Sequence, residues 1–224
     1  MNSNHLNYLI QIGDNDKGYY GNNSLLWAKQ VLPNKIFDKY LNRRFDRYDL
    51  FDYCNNSSND DLNVLVAILS WGGMRRDHGR LLMKNPDLIL ELVHKLRNGK
   101  YKTRQIAFTT FQSYRISGLL PGLGIGYFTK LICFLSPDLN GYIMDQWVGK
   151  SINFLSGQDI VKITGNNWVN DCNNEETYEI FCSYIDNLAI ILNCSGFEAE
   201  KRIFSVGRGV GKWRNYLINN IDYQ

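Results

Sequence analysis

Apolar positions along this chain recur mostly at helical spacing, in short stripes separated by polar turns. Asp61-LNVLVAILSW is apolar at nearly every position, which predicts a buried helix that ends at Gly72-Gly73. The aspartates of the preceding loop, CNNSSNDD (54–61), are placed to cap it. RRDHGRLLMK starts a short helix that Pro86 limits. PDLILELVHKLRNG then has proline at its first position and glycine beyond its end, with Leu88, Leu92 and Leu96 on one stripe. RQIAFTTFQSYRIS predicts a helix leading into the glycine-rich turn of LLPGLGIGYFTKLICFL (119–135), whose second half is an apolar helix carrying one lysine.

DQWVGKSINFL predicts a further helix with Asp145 as its N-cap. After an Asn-rich loop (165–174), Phe181, Tyr184, Ile185, Leu188 and Leu192 form a strong stripe. FEAEKRIFSVG predicts a last amphipathic helix before a GRGVGKW turn. Residues 1–24, polar and rich in Asn and Gly, read as a loosely held arm or lid, and Leu25 to Tyr53 as short helices around Pro33. Alternating β-branched runs are few, so the expected class is mostly α. The segments expected are an N-terminal arm with short helices (1–60), a helical lobe (61–120), the glycine turn with the Asp145 segment (121–160) and C-terminal helices (161–224).

A chain of 224 residues with 44% hydrophobic and 21% charged positions has the composition of an ordinary globular protein with a real core. Its longest apolar runs fall well short of the roughly 20 residues that a membrane span needs. The first residues lack the basic and apolar regions of a secretory signal, so a cytoplasmic protein is expected. Five cysteines at wide spacings, without a C-x-x-C pair, and three histidines argue against a zinc or iron–sulfur site. Reduced, mostly buried thiols, no metal and no cofactor are the expectation.

The net charge of +3 says little by itself, but the cations cluster. Arg43, Arg44 and Arg47 form one group and Arg75, Arg76 and Arg80 a second. A third runs from Lys95 to Arg104 and a fourth from Lys201 to Arg214. Such segregation suits a phosphate-contacting face, and solvated helix faces produce the same pattern.

Glycines at 122, 124 and 126 permit positive φ and leave backbone N–H groups bare at a helix start, a concavity suited to an anion such as phosphate. An ordinary interhelical turn explains the same glycines. Lys130 lies four residues beyond Gly126, on the same helical face and roughly 6 Å along the axis. Helical side chains lean toward the N-terminus, so its amine is expected over Gly126. Phe128, Ile132 and Phe134 would partly desolvate it. A snorkelling lysine at a helix edge is the plain alternative.

LLPGLG, an apolar helix and then an aspartate 24 residues after the proline resemble the helix–hairpin–helix DNA glycosylases, nearest their 8-oxoguanine glycosylase branch. Ala67-Ile68-Leu69-Ser70-Trp71-Gly72 is similar to the segment opening the first lobe of such enzymes. GYFTKLICF and IMDQWV look like bacterial proteins of the oxoguanine-glycosylase fold. The resemblance implies a two-lobed, mostly α-helical helix–hairpin–helix fold with the active-site cleft between the lobes. It implies base flipping from double-stranded DNA containing a modified base, followed by cleavage of the N-glycosidic bond, by a monomer without cofactor.

The residue roles implied are as follows. Asp145 is the carboxylate that stabilises positive charge on the sugar or activates a water. Lys130 is the amine that forms a Schiff base, a role requiring a lowered pKa. Trp71 is the stacking surface of the base pocket, joined there by Gln146, Gly126 and Phe134, with Trp147 as packing. Gly122, Gly124 and Gly126 grip the DNA backbone together with Arg75 and Arg76, His78 lying just beyond. In one respect the chain departs from the pattern, because the nucleophilic lysine usually stands five residues after the hairpin proline, where Gly126 is found. Oxidised guanine is the substrate implied. A bulky modified phage base removed in antiviral defence, and a non-enzymatic helix–hairpin–helix module, are the alternatives.

Overall fold

The computed structural model describes residues 1–13, 18–205 and 211–221. Among these residues the chain is helical almost throughout, and the β features are two isolated bridges, Asn23–Arg44 and Ile163–Val169. The helices are α1 (Ser3–Ile12), α2 (Ser24–Val31), α3 (Arg47–Asn55), α4 (Asp61–Trp71), α5 (Arg76–Leu82) and α6 (Pro86–Arg97). They continue with α7 (Arg104–Ile116), α8 (Ile125–Leu135), α9 (Gln146–Ser156), α10 (Glu175–Leu192), α11 (Gly196–Phe204) and α12 (Lys212–Asn220). They fall into two compact units, one from Tyr19–Gly141 and one from Met1–Gly18 with Tyr142–Gln224.

The 19–141 unit is built on α4 and α8, which touch each other and are wrapped by α2, α3, α6 and α7. Both are apolar around most of their circumference, and a helix of that kind must be enclosed. Every residue from Val64 to Trp71 and from Phe128 to Leu135 is buried. Local signals set the ends. Asp60 accepts from Asn63 N to start α4, Gly72 closes it, and Gly73 follows at φ +73°. Pro86 opens α6 and Gly99, at φ +60°, follows its end. Trp27 of α2 crosses α5 where Gly79 lacks a side chain, and its indole donates to Met74 O at 2.7 Å.

The other unit centres on α10 packed on α9 and α11, with α12 against α9, α11 and α1. Gly196 opens α11 directly against the Tyr142 hydroxyl, which donates to Asp186 Oδ1 at 2.6 Å. Trp213 of α12 is buried and donates to Ser151 Oγ at 2.9 Å; that hydroxyl donates in turn to Ile203 O.

Two elements differ from the sequence expectation. Residues 3–12 form a helix rather than a loose arm, with Asn2 as cap, Leu9 buried, and Tyr8 stacked on Tyr216 at 3.9 Å. Residues 212–220 form a helix where a terminal turn was expected. Both are short, and such helices form mainly through the faces they bury. Cys54, Cys133 and Cys182 are buried thiols. Among the described residues no single helix is long and apolar enough to cross a membrane.

Candidate functional site

The turn between α7 and α8 is shaped by its glycines. Gly118 leaves α7 at φ +77°, and Leu119 and Leu120 both donate back to Tyr114 O. Leu120 and Leu123 are fully buried and anchor the turn to the core. Gly122 has φ +81°, and a Cβ there would come within 2.9 Å of His78 O, so both conformation and close approach require glycine. Gly124 is the N-cap of α8 in extended conformation; a Cβ there would meet nothing within 4 Å. No side chain caps α8; Tyr127 N turns back onto Gly124 O at 2.8 Å, which leaves the Ile125 and Gly126 amides for an outside acceptor.

Lys130 is only 8% exposed. Its Nζ donates to Gly126 O at 2.7 Å, one turn back, as the lean of helical side chains predicts. The amine lies 5.6 Å from the centre of the Tyr127 ring. The aliphatic stem runs over Gly72, where an added Cβ would come within 2.9 Å of Lys130 Cδ. The end of α4 therefore meets the middle of α8, and Trp71-Gly72 lies beside the lysine. The sequence reading puts Trp71 in a pocket with Gly126 and Phe134 but gives Gly72, Tyr127 and Tyr19 no part in it. Tyr127 stands three residues before Lys130 on the same helix, the one signal that could have identified it. Burial, with Tyr19 nearby, raises the Tyr127 phenol above its ordinary value, against the opposing pull of Arg75.

Trp71 is 3% exposed, with Tyr19 and Phe134 packed edge-to-face at 5.3 and 5.1 Å. Its indole N–H is buried without a hydrogen bond, which costs about 1–3 kcal/mol. Tyr19 donates to Trp71 O, and Gly21 approaches the indole so closely that a Cβ would lie 2.4 Å from Trp71 Cα. Trp71 and the fully buried Phe134 are thus in the core of the 19–141 unit.

Asp145 belongs to the other unit and caps α9. Its Oδ1 accepts from Trp147 N at 2.8 Å and Val148 N at 2.9 Å, so one carboxylate oxygen takes both capping bonds. Asp145, Gln146 and Trp147 are all partly exposed. The Arg214 guanidinium lies 4.3 Å from the centre of the Trp147 ring and Lys150 Nζ 5.0 Å from it. Arg214 also donates to Phe204 O and to Ser205 O. Burial pushes the Lys150 amine below its ordinary value.

The cationic clusters are partly occupied within the protein. Arg44 holds Gly21 O and Tyr20 O, Arg43 pairs with Asp49, and Arg47 is buried. Arg97 donates to Asp61 and to the carbonyls of Asn56 and Asn59, while Lys201 and Arg202 both pair with Glu198. Arg75 is bidentate to Asp77 at the surface, and Arg76 donates to Gln30. The GRGVGKW turn expected at 207–213 falls largely on 207–210, outside the described residues. Among the described residues, no group of three or more His, Cys, Asp or Glu side chains is arranged to hold a metal.

Residues 23–204 match the model of the family described as "Putative 8-oxoguanine DNA glycosylase OGG-like protein". No curated protein and no solved structure matches the chain. The matched span contains the glycine turn, Lys130 and Asp145, as well as both α4 and α8. The chain therefore belongs to this OGG-like family of DNA glycosylases.

Proposed function

We propose that the protein is a base-flipping DNA glycosylase that removes oxidised guanine, with Lys130 as the reacting amine and Asp145 as the supporting carboxylate. The observation that carries this reading is the buried Lys130 amine, held one turn back on the Gly126 carbonyl. A lysine at a helix edge would extend into water, whereas this one is kept where a substrate could meet a desolvated amine. Attack on the sugar requires the neutral form of this amine, and its bond to the Gly126 carbonyl is made through an N–H.

In the proposed reaction that lone pair attacks C1′ of the everted nucleotide. The C1′–N9 bond breaks, its electron pair leaves with the base, and the base takes a proton. Loss of a proton from the amine and opening of the sugar ring then give a Schiff base, which water hydrolyses. Positive charge develops on the sugar before the new bond is complete, and Asp145 would stabilise it through the oxygen not engaged in capping. The bare amides at the start of α8 support a helix–hairpin–helix grip on a DNA phosphate, a contact that positions without reading sequence.

The test combines mass spectrometry of bases released from duplexes carrying oxidised, alkylated or phage-type modified bases with borohydride trapping. Release of 8-oxoguanine, with a covalent DNA adduct that Lys130→Gln loses, is expected. Active enzyme without any adduct would remove Lys130 from the covalent role. Release of a different base would refute the substrate, and DNA binding without any base release would leave a non-enzymatic module.

A further inference from the structure

The Asn-rich segment after α9 is a built hairpin. Thr164 N donates to Trp168 O at 2.8 Å, Trp168 N to Thr164 Oγ1 at 3.1 Å, and Asn167 N to Thr164 O at 2.8 Å. Asn167 takes the left-handed conformation at φ +62° to close the turn. The base of the hairpin is pinned to α9. Asn153 exchanges two hydrogen bonds with the Val161 backbone, and Gly149 lets Val161 approach so closely that a Cβ would stand 2.9 Å from it. Asn173, fully buried, bonds both Lys162 and Asn170 from the other side.

This framework holds out one large aromatic side chain. Trp168 is 56% exposed. The tryptophans that hold the fold behave otherwise: Trp27 and Trp213 are at most 1% exposed, and each bonds its indole N–H. Around Trp168 the surface is polar, since Gly165, Asn166 and Asn167 are exposed too. A lone aromatic ring among amide groups suits the face of a nucleobase better than an apolar protein surface. The hairpin also carries a cation, because Lys150 Nζ donates to Asn167 Oδ1 at 2.6 Å beside the turn.

We propose that this hairpin is a nucleic-acid contact in which Trp168 stacks on an unpaired DNA base while Lys150 takes the adjoining phosphate. The proposal rests on DNA as the substrate but not on the catalytic roles of Lys130 or Asp145. The Trp168 side chain is more than half exposed, so Trp168→Ala is expected to fold normally.

The experiment uses the full chain and two duplexes of one sequence. One is fully paired; the other has 2-aminopurine left unpaired opposite a tetrahydrofuran abasic analogue, which cannot be cleaved as a glycoside. Wild-type protein is expected to bind the second duplex more tightly and to quench its fluorescence. Trp168→Ala should lose roughly 5- to 150-fold in affinity for it, the equivalent of ~1–3 kcal/mol of base–aromatic stacking, and should lose the quenching. Trp168→Phe should retain most of both. Equal affinity of wild type and Trp168→Ala for the unpaired duplex would overturn the proposal. So would a Trp168-dependent self-association in sedimentation, with DNA binding unchanged. Failure of the catalytic reading would look different: no base release from modified DNA, with Trp168-dependent binding intact.

Discussion

Gly72→Ala separates the position of the Lys130 amine from the stability of the fold. Gly72 closes α4 at φ −67° and ψ −2°, a conformation alanine adopts without strain. On backbone grounds the substitution should stabilise by about 0.4–1 kcal/mol, through lower entropy of the unfolded chain. Its methyl group, however, would stand 2.9 Å from Lys130 Cδ and 3.1 Å from Cε, with Ile68 O at 3.3 Å. Ordinary carbon contacts need ~3.5–4.0 Å, so the stem must retreat by roughly 0.6–1 Å. An off-rotamer side chain costs about 0.5–1.5 kcal/mol, which nearly cancels the backbone gain.

Net stability should therefore change by less than ~1 kcal/mol, measured by urea unfolding. A shift of about 1 Å in a reacting group can cost about 100-fold in rate, and single-turnover base release should fall on that scale. Borohydride trapping should fall in parallel, approaching the Lys130→Gln background. Wild-type rates of release and trapping in a Gly72→Ala protein of unchanged stability would refute the reasoning, because the reaction would then be indifferent to where this amine sits.

Asp145→Asn keeps an N-cap of nearly equal quality and removes the charge, so base release should be abolished while the unfolding midpoint barely moves. Asp145→Ala should lose base release and also about 1 kcal/mol of stability, and retained turnover in either variant would remove Asp145 from the chemistry. Gly122→Ala must force a side chain to φ +81° against the His78 backbone, and should destabilise the 19–141 unit by about 1–3 kcal/mol in urea unfolding. Gly124→Leu enters open space but is a poorer N-cap, so it should cost only about 0.5–1 kcal/mol of stability while weakening binding to all DNA sequences alike in a filter or anisotropy assay. His5, stacked on Phe154 at 3.8 Å, has its pKa lowered from 6.5 by burial. The folded chain thus binds its proton less readily than the unfolded chain, and the contribution of neutral His5, present above about 6.5, is lost as pH falls from there through the lower folded value. Hydrogen exchange in α1, corrected for intrinsic rates, should be faster at mildly acidic than at neutral pH, and His5→Phe should remove that difference.

Local determinants were legible without coordinates. The densely apolar stretches at 64–71 and 128–135 could only be enclosed helices, because no face of either could be left in water. Asp145 as a cap, Pro86 at a helix start and Gly99 past its end are read within one turn of chain. The backward lean of Lys130 onto Gly126 follows from the same local geometry. The family pattern across 119–150 was equally visible, since it consists of spacings along the chain.

What the sequence left open depends on distant segments meeting. Residues 3–12 and 212–220 are helices of only ten and nine residues, too short to stand on their own, and the Tyr8–Tyr216 stack that joins them spans almost the whole chain. Gly72 beneath the Lys130 stem, and Tyr19 and Gly21 closing over Trp71, are neighbours through packing alone. Arg44 and Arg97 look like open cations until carbonyls from other loops are found to occupy them. Periodicity and capping act over three or four residues and are written in local order. Which side chains share a buried space is decided by how whole helices fill volume together.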